Sequence, residues 1–231
     1  MRHPRSRVKA LPRRGEAKSQ KFFASFFKKE GLTSRILPHP NETPPGIRPA
    51  ASLLVVRDGT VLMGRRSAGH RFMPNVLVFP GGAVDASDHH ARVASPFRPA
   101  VQARLERAAP PSLAQALGVA AARELFEEVG MSLGDPPALA PLDYLCRAIT
   151  PPERSIRFDA RFFIVDHLNV AGTPAASGEL EDPAWYTPEQ TRDLDLAHAT
   201  RAVLWQFQRW LSHHDRDGPV PTLQDRVWTQ G

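Results

Sequence analysis

Within Ala122-Arg123-Glu124-Leu125-Phe126-Glu127-Glu128-Val129-Gly130, Glu127 and Glu128 follow Glu124 by three and four positions. At about 100° per residue a helix carries all three carboxylates on one side. Like charges so spaced cost an isolated helix a few tenths of a kcal/mol per pair, a cost that a divalent cation held by carboxylate oxygens removes. Arg123 stands beside them and can hold one carboxylate in place, while Gly118, Ala122, Leu125 and Val129 fall on a neighbouring face that can anchor the helix to a sheet. A bare glutamate-rich run can equally be a solvated surface patch, so the surrounding residues have to decide.

Several of them carry chemistry of their own. Phe79-Pro80-Gly81-Gly82 is followed by Asp85 and Asp88, which suit either a metal-supporting network, including a hold on Arg123, or a turn. Arg66 and Arg71 present guanidinium groups that fit phosphate oxygens. Glu179 lies in a loop six residues before Trp185. His70, His89 and His90 have no metal-binding companions at matching spacing and are read as loop residues.

Those residues need elements to present them. Ser52 to Arg57 reads as an aliphatic strand, Asp58-Gly59 as a hairpin turn and Thr60 to Arg65 as the partner strand. Val76 to Phe79 makes a short strand running into Gly81-Gly82. A variable segment follows, and then Ser112 and Gln115 form a capping-box pattern that predicts the start of the carboxylate helix, with Gly130 as its end. Strands are predicted at Leu142 to Ile149, Ile156 to Val165 and Leu180 to Tyr186, before an amphipathic helix with Ala199, Val203, Phe207 and Trp210 on one face. Arg157 and Arg161, four apart on one of these strands, share a side that can face the site. Strands, helix, strands, helix implies an α+β or α/β sandwich with a mixed β-sheet between helices.

Gly82, Asp88 and the run from Arg123 to Met131 resemble the signature of the Nudix hydrolases: a glycine, five residues, an acid, seven residues, then Arg-Glu-hydrophobic-any-Glu-Glu-any-Gly-hydrophobic. The acid is aspartate here, and 34 residues (89–122) separate it from Arg123, an insertion of 27. Loop closure entropy grows slowly enough with length to accommodate this. The resemblance extends from about Ala50 to Gln208 and is to the long-insertion branch that includes the peroxisomal coenzyme A diphosphatases. It implies a Nudix-like fold in which Glu124, Glu127 and Glu128 bind Mg²⁺ or Mn²⁺ with a backbone carbonyl near Gly81 or Gly82, and water attacks phosphorus in line. It further implies Glu179 as general base or extra ligand. Arg66-Ser67, Arg71 and the spaced Phe79-Pro80-Gly81-Gly82 resemble that branch's coenzyme A motif, with Gly64 and Val76 departing from it.

The net charge of +6 over 231 residues is unevenly placed. Residues 1–35 carry 11 Lys and Arg against Glu16 and Glu30, leaving 19 basic against 22 acidic residues for the rest, a mildly acidic body. Residues 1–49 read as a basic disordered tail, a short helix with Phe22, Phe23, Phe26 and Phe27 in a stripe, and a Pro-rich linker. Residues 50–231 read as the hydrolase domain, with an insertion at about 89–111. Cys146 is the only cysteine, which excludes an intrachain disulfide and points to a reducing, cytoplasmic setting; organelle targeting by the tail remains the alternative. The expected function is diphosphate hydrolysis in a nucleotide-type small molecule, foremost coenzyme A or acyl-coenzyme A. ADP-ribose, a dinucleotide or a damaged nucleoside triphosphate is the alternative substrate, and a non-catalytic Nudix-like binding module the alternative of another class. Nucleic-acid binding would rest on the tail alone, no membrane span is expected, and a homo-oligomer is left open.

Overall fold

A computed structural model describes residues 46–67, 75–212 and 218–230. The chain divides into two units, Met1–Glu42 and Thr43–Gly231, and the described residues all belong to the second. The phenylalanine stripe, Arg71 and His70 lie outside the described residues.

The strands are β1 (Arg48–Arg57), β2 (Thr60–Arg66), β3 (Leu77–Val78), β4 (Gly81–Ala83), β5 (Asp143–Ile149), β6 (Phe158–Asp166), β7 (Leu180–Tyr186), β8 (Pro221–Gln224) and β9 (Val227–Gln230). The helices are α1 (Pro99–Glu106), α2 (Pro111–Val129) and α3 (His198–Ser212). The sheet runs β3-β2-β1-β6-β5-β8-β9, with β4 also on β1 and β7 also on β2. It is mixed: β1 and β6 are parallel, as are β5 and β8, and the other pairs are antiparallel.

Strand β1 is aliphatic on both faces because both are covered. Ala51, Leu53 and Val55 pack with α1 and α2, while the alternate residues Leu54 and Val56 pack with α3. Strand β6 repeats the alternation, with Phe163 on the first face and Phe162 on the second. On α2 the buried positions Ala114, Leu117, Ala121, Leu125 and Val129 recur every three or four residues, which fixes the side that meets the sheet. Asp58 and Gly59 take φ of 50° and 77°, the left-handed pair that a tight hairpin between β1 and β2 requires.

Three local expectations differ from the structure. The capping box does not form: Pro110 is the N-cap of α2 with no side-chain hydrogen bond, and Gln115 Nε2 donates to Ala91 O at 3.3 Å. Proline at the first helical position, with φ already set and no N–H to satisfy, starts the helix instead. The segment between Asp88 and the helix is a packed element. It contains α1, Phe97 stacks on Phe163 at 5.4 Å between centroids, and Ala94 and Leu139 backbone N–H groups bond across to Pro137 and Ser95. Arg161 does not face the carboxylates. Its guanidinium is 1% exposed, ion-paired to Asp159 at 2.6 Å, and donates to Ala108 O at 2.9 Å, tying the insertion to the sheet.

Candidate active site

The second half of α2 lies over β4, where Gly82 leaves room for the Glu124 carboxylate and Gly81 leaves room for β1. A Cβ on Gly82 would lie 2.3 Å from Glu124 Oε1, and one on Gly81 would lie 2.5 Å from Ala51 O. Gly81 N–H donates to Glu128 Oε2 at 2.8 Å. The helix ends at Gly130, whose φ of 71° and N–H to Phe126 O form a left-handed cap.

Glu124 and Glu128 are 1% and 5% exposed, unusual for carboxylates, whereas Glu127 stands partly in solvent. Arg123 gathers the acids. It donates to Asp88 Oδ1 and Oδ2 at 3.1 and 3.0 Å, to Glu124 Oε1 at 2.6 Å, to Glu127 Oε2 at 3.1 Å and to Ala83 O at 3.0 Å. Asp88, 2% exposed, also accepts from Asp85 N–H at 2.8 Å, so the acid before the insertion is joined to the helix after it. The sequence showed that Arg123 could hold one carboxylate; the structure shows three, together with the Ala83 carbonyl and the Gly81 amide that no local spacing announces.

Electrostatics follow from this burial. Desolvation pushes Glu124 up to about 7, against the pull of Arg123 and with the charges of Glu127 and Glu179 adding to the rise. Glu128 is raised well above the usual carboxylate range, by burial first and then by Glu124. The Gly81 N–H and the charge of Arg66 lower it, and Glu179 raises it further. Arg66 at the end of β2 and Glu179 just before β7 therefore act electrostatically on the carboxylate side of α2. They are brought together because Arg66 pairs with Leu180 and Ser67 N–H donates to Glu179 O at 3.2 Å. Burial likewise raises Asp85. Arg123 is also desolvated, which works against its charge, but the hydrogen bonds and charges of Asp88 and Glu124 outweigh that and hold it protonated.

Among the described residues no group of three His, Cys, Asp or Glu side chains stands assembled as a metal cage. Arg123 engages Glu124 and Glu127 directly. The residues nonetheless fit a divalent cation. Among the described residues Glu124 Oε2 is buried without a hydrogen-bond partner, and burial has raised two neighbouring acids that a cation would return to their charged forms. The donors are all oxygen, as Mg²⁺ and Mn²⁺ prefer.

No protein-family model matches the chain. It is 38% identical over 86 residues to a Caenorhabditis elegans protein named as nudix hydrolase 7, a match covering 36% of this chain and 22% of that one. The chain therefore spans about a fifth of that relative's length. Among solved structures it is similar to a NUDIX hydrolase from Alicyclobacillus acidocaldarius, at 26% identity and a TM-score of 0.54, over 73% of this chain and 96% of that one. A MutT protein from Methanosarcina mazei matches in fold at 18% identity and a TM-score of 0.51, over 74% of this chain and all of that one. With its mixed sheet between helices, its split signature drawn together by Arg123 and these likenesses, the chain has the Nudix fold and is similar to the Nudix hydrolases that share it.

Proposed function

We propose that the chain hydrolyses a diphosphate linkage in a nucleotide-type small molecule with the help of Mg²⁺ or Mn²⁺. The observation that carries this is the pair of buried acids, Glu124 and Glu128, one with a carboxylate oxygen that nothing among the described residues satisfies. Two desolvated carboxylates side by side are costly unless neutralised. When bound, the cation supplies charge neutralisation of the diphosphate and lowers the pKa of attacking water. Glu124, Glu127 and Glu128 would hold it, with the Gly82 carbonyl as a further oxygen donor. Arg123 orients the acids, Asp88 fixes Arg123, and Asp85 supports Asp88 through its backbone N–H. Glu179, whose charge acts on both buried acids, is suited to take the proton from water.

The reading extends to coenzyme A or acyl-coenzyme A as substrate, supported by the arginine pattern Arg66 and Arg71 and by the electrostatic reach of Arg66 to Glu128. Substrates lacking a ribose 3′-phosphate, such as ADP-ribose, are the competing choice within the same chemistry. Steady-state kinetics of Arg66→Ala on both compounds separates them. A lost charge-assisted contact of about 1.5 to 3 kcal/mol should raise KM for coenzyme A by roughly tenfold to a hundredfold, with a much smaller effect on ADP-ribose. Equal losses on both would mean that Arg66 grips the shared diphosphate, and a wild-type preference for ADP-ribose would remove the coenzyme A assignment.

A further inference from the structure

The insertion supplies Asp88 with no further site residue, yet it is packed, and it builds an open cavity of about 330 Å³ against the first turns of α2. Phe97 from the insertion and Leu139 from the segment after α2 form the apolar part of the wall. Phe163 stacks on one face of Phe97 at 5.4 Å between centroids, and Gly118 admits its far edge, since a Cβ there would lie 2.5 Å from Phe97 Cζ. Leu139 is fixed by its N–H to Ser95 O at 2.9 Å. Core contacts therefore set the shape of the cavity, whose volume falls at the lower end of the roughly 300 to 1,000 Å³ of small-molecule sites.

His89, Gln102, Ser112 and Gln115 supply the polar part of the wall, and among the described residues no arginine, lysine, aspartate or glutamate lines it. An ion entering there would lose water without gaining a countercharge, whereas a neutral flat ring finds apolar surface for its faces and polar groups for its edge. Gln102 and Gln115 each donate one N–H to the protein, to Glu106 and to Ala91 O. Each amide retains a second N–H and a carbonyl oxygen, the donor and acceptor pair with which glutamine reads the edge of adenine.

Two of these residues also border the candidate active site. His89 follows Asp88 in the turn Asp88–His90, and Asp88 accepts from Arg123 through both oxygens. Beyond that turn Gln115 holds Ala91 O at 3.3 Å, eight residues, or about 12 Å of helix, before Arg123. From this combination we infer a second binding site, for a neutral purine base of the adenine type, in the cavity between the insertion and α2. Its existence does not depend on the hydrolase reading, because no residue of the carboxylate cluster contributes to it. The base can belong to a separate nucleoside or to the diphosphate substrate itself, and the second arm of the test, which does rest on that reading, tells the two apart.

The first arm is calorimetric titration of the full-length, metal-free protein with adenosine, which carries the base and no phosphate. Saturable binding is expected with a Kd on the order of 0.1 mM, weakened roughly tenfold in Gln102→Leu and lost when Ser112→Trp fills the cavity, but kept in Glu124→Gln. Gln102 and Ser112 lie outside the core, so both variants should fold, and unchanged far-ultraviolet circular dichroism verifies it. In the second arm adenosine is added during turnover of a cleaved diphosphate. Competitive inhibition assigns the cavity to the base of the substrate, and a change in kcat alone assigns it to a separate nucleoside acting through Asp88 and Arg123. Absence of saturable binding to the wild type, or equal affinity in Gln102→Leu and Ser112→Trp, would overturn the inference.

Discussion

Glu124 and Arg123 carry the most consequential residue-scale physics. Glu124 ionises at about 4.5 when exposed and at about 7 in the folded, metal-free chain. A carboxyl whose pKa rises on folding contributes stability that is fully present below the unfolded value and lost as pH climbs through the folded one. Metal-free Glu124→Gln should therefore match the wild type in urea stability near pH 4 and exceed it at pH 8, by on the order of 2 kcal/mol. A stability difference independent of pH would refute the assignment of that burial cost to Glu124. Arg123→Lys should lower kcat by roughly a hundredfold or more with little change in KM, since an ammonium cannot reproduce the planar fork that engages Asp88, Glu124 and Glu127. The grouping of these acids was legible in the sequence because i, i+3 and i+4 spacing dictates a shared helix face. Their burial was not, since it depends on Gly81 and Gly82 approaching from a strand more than 40 residues earlier in the chain.

At the scale of elements, β4 and α2 form one unit, and neighbouring glycines should respond differently to the same substitution. Gly81→Ala drives a Cβ into the backbone of β1, 2.5 Å from Ala51 O and 2.6 Å from Ser52 Cα, which cannot yield without moving the strand. It should cost about 3 kcal/mol or more in urea unfolding. Gly82→Ala meets the Glu124 carboxylate, a side-chain end that can turn away. It should leave the fold largely intact while lowering turnover at least as much as Glu124→Gln, so equal stability losses in the two variants would contradict the geometry. Element legibility varied for identifiable reasons. Strand β7, Leu180–Tyr186, has the boundaries expected for it from the sequence. The β8–β9 hairpin escaped notice because its turn residues, Asp225 and Arg226, adopt φ of 50° and 64° without the glycine that marks such turns. Helix α1 was hidden by the prolines and arginines around it, and its place is decided by long-range contacts such as Phe97 on Phe163.

Over the whole molecule, charge and chemistry are segregated. The basic excess lies in residues 1–35, and the proposed site residues lie between positions 66 and 179. No described helix is long and apolar enough to cross a membrane. Deleting residues 1–45 should leave kcat and KM for the preferred diphosphate within about twofold, as expected when a segment contributes no site residue and the chain resumes before β1. A protein that misfolds on this deletion would show that the phenylalanine stripe belongs to the core. Salt-sensitive affinity for nucleic acid, if present, should vanish with the same deletion.

The central claim is that the buried carboxylates of α2 serve hydrolysis of a diphosphate. The most direct measurement is a panel of diphosphate compounds incubated with Mg²⁺ or Mn²⁺ and the wild-type chain, Glu124→Gln, Glu127→Gln and Glu128→Gln, with products identified by mass. The wild type should split at least one compound into two phosphate-terminated products, and all three variants, folded by circular dichroism, should lose roughly a hundredfold or more of that turnover. Wild-type rates in all three variants, or no cleavage of any compound with either metal, would contradict it.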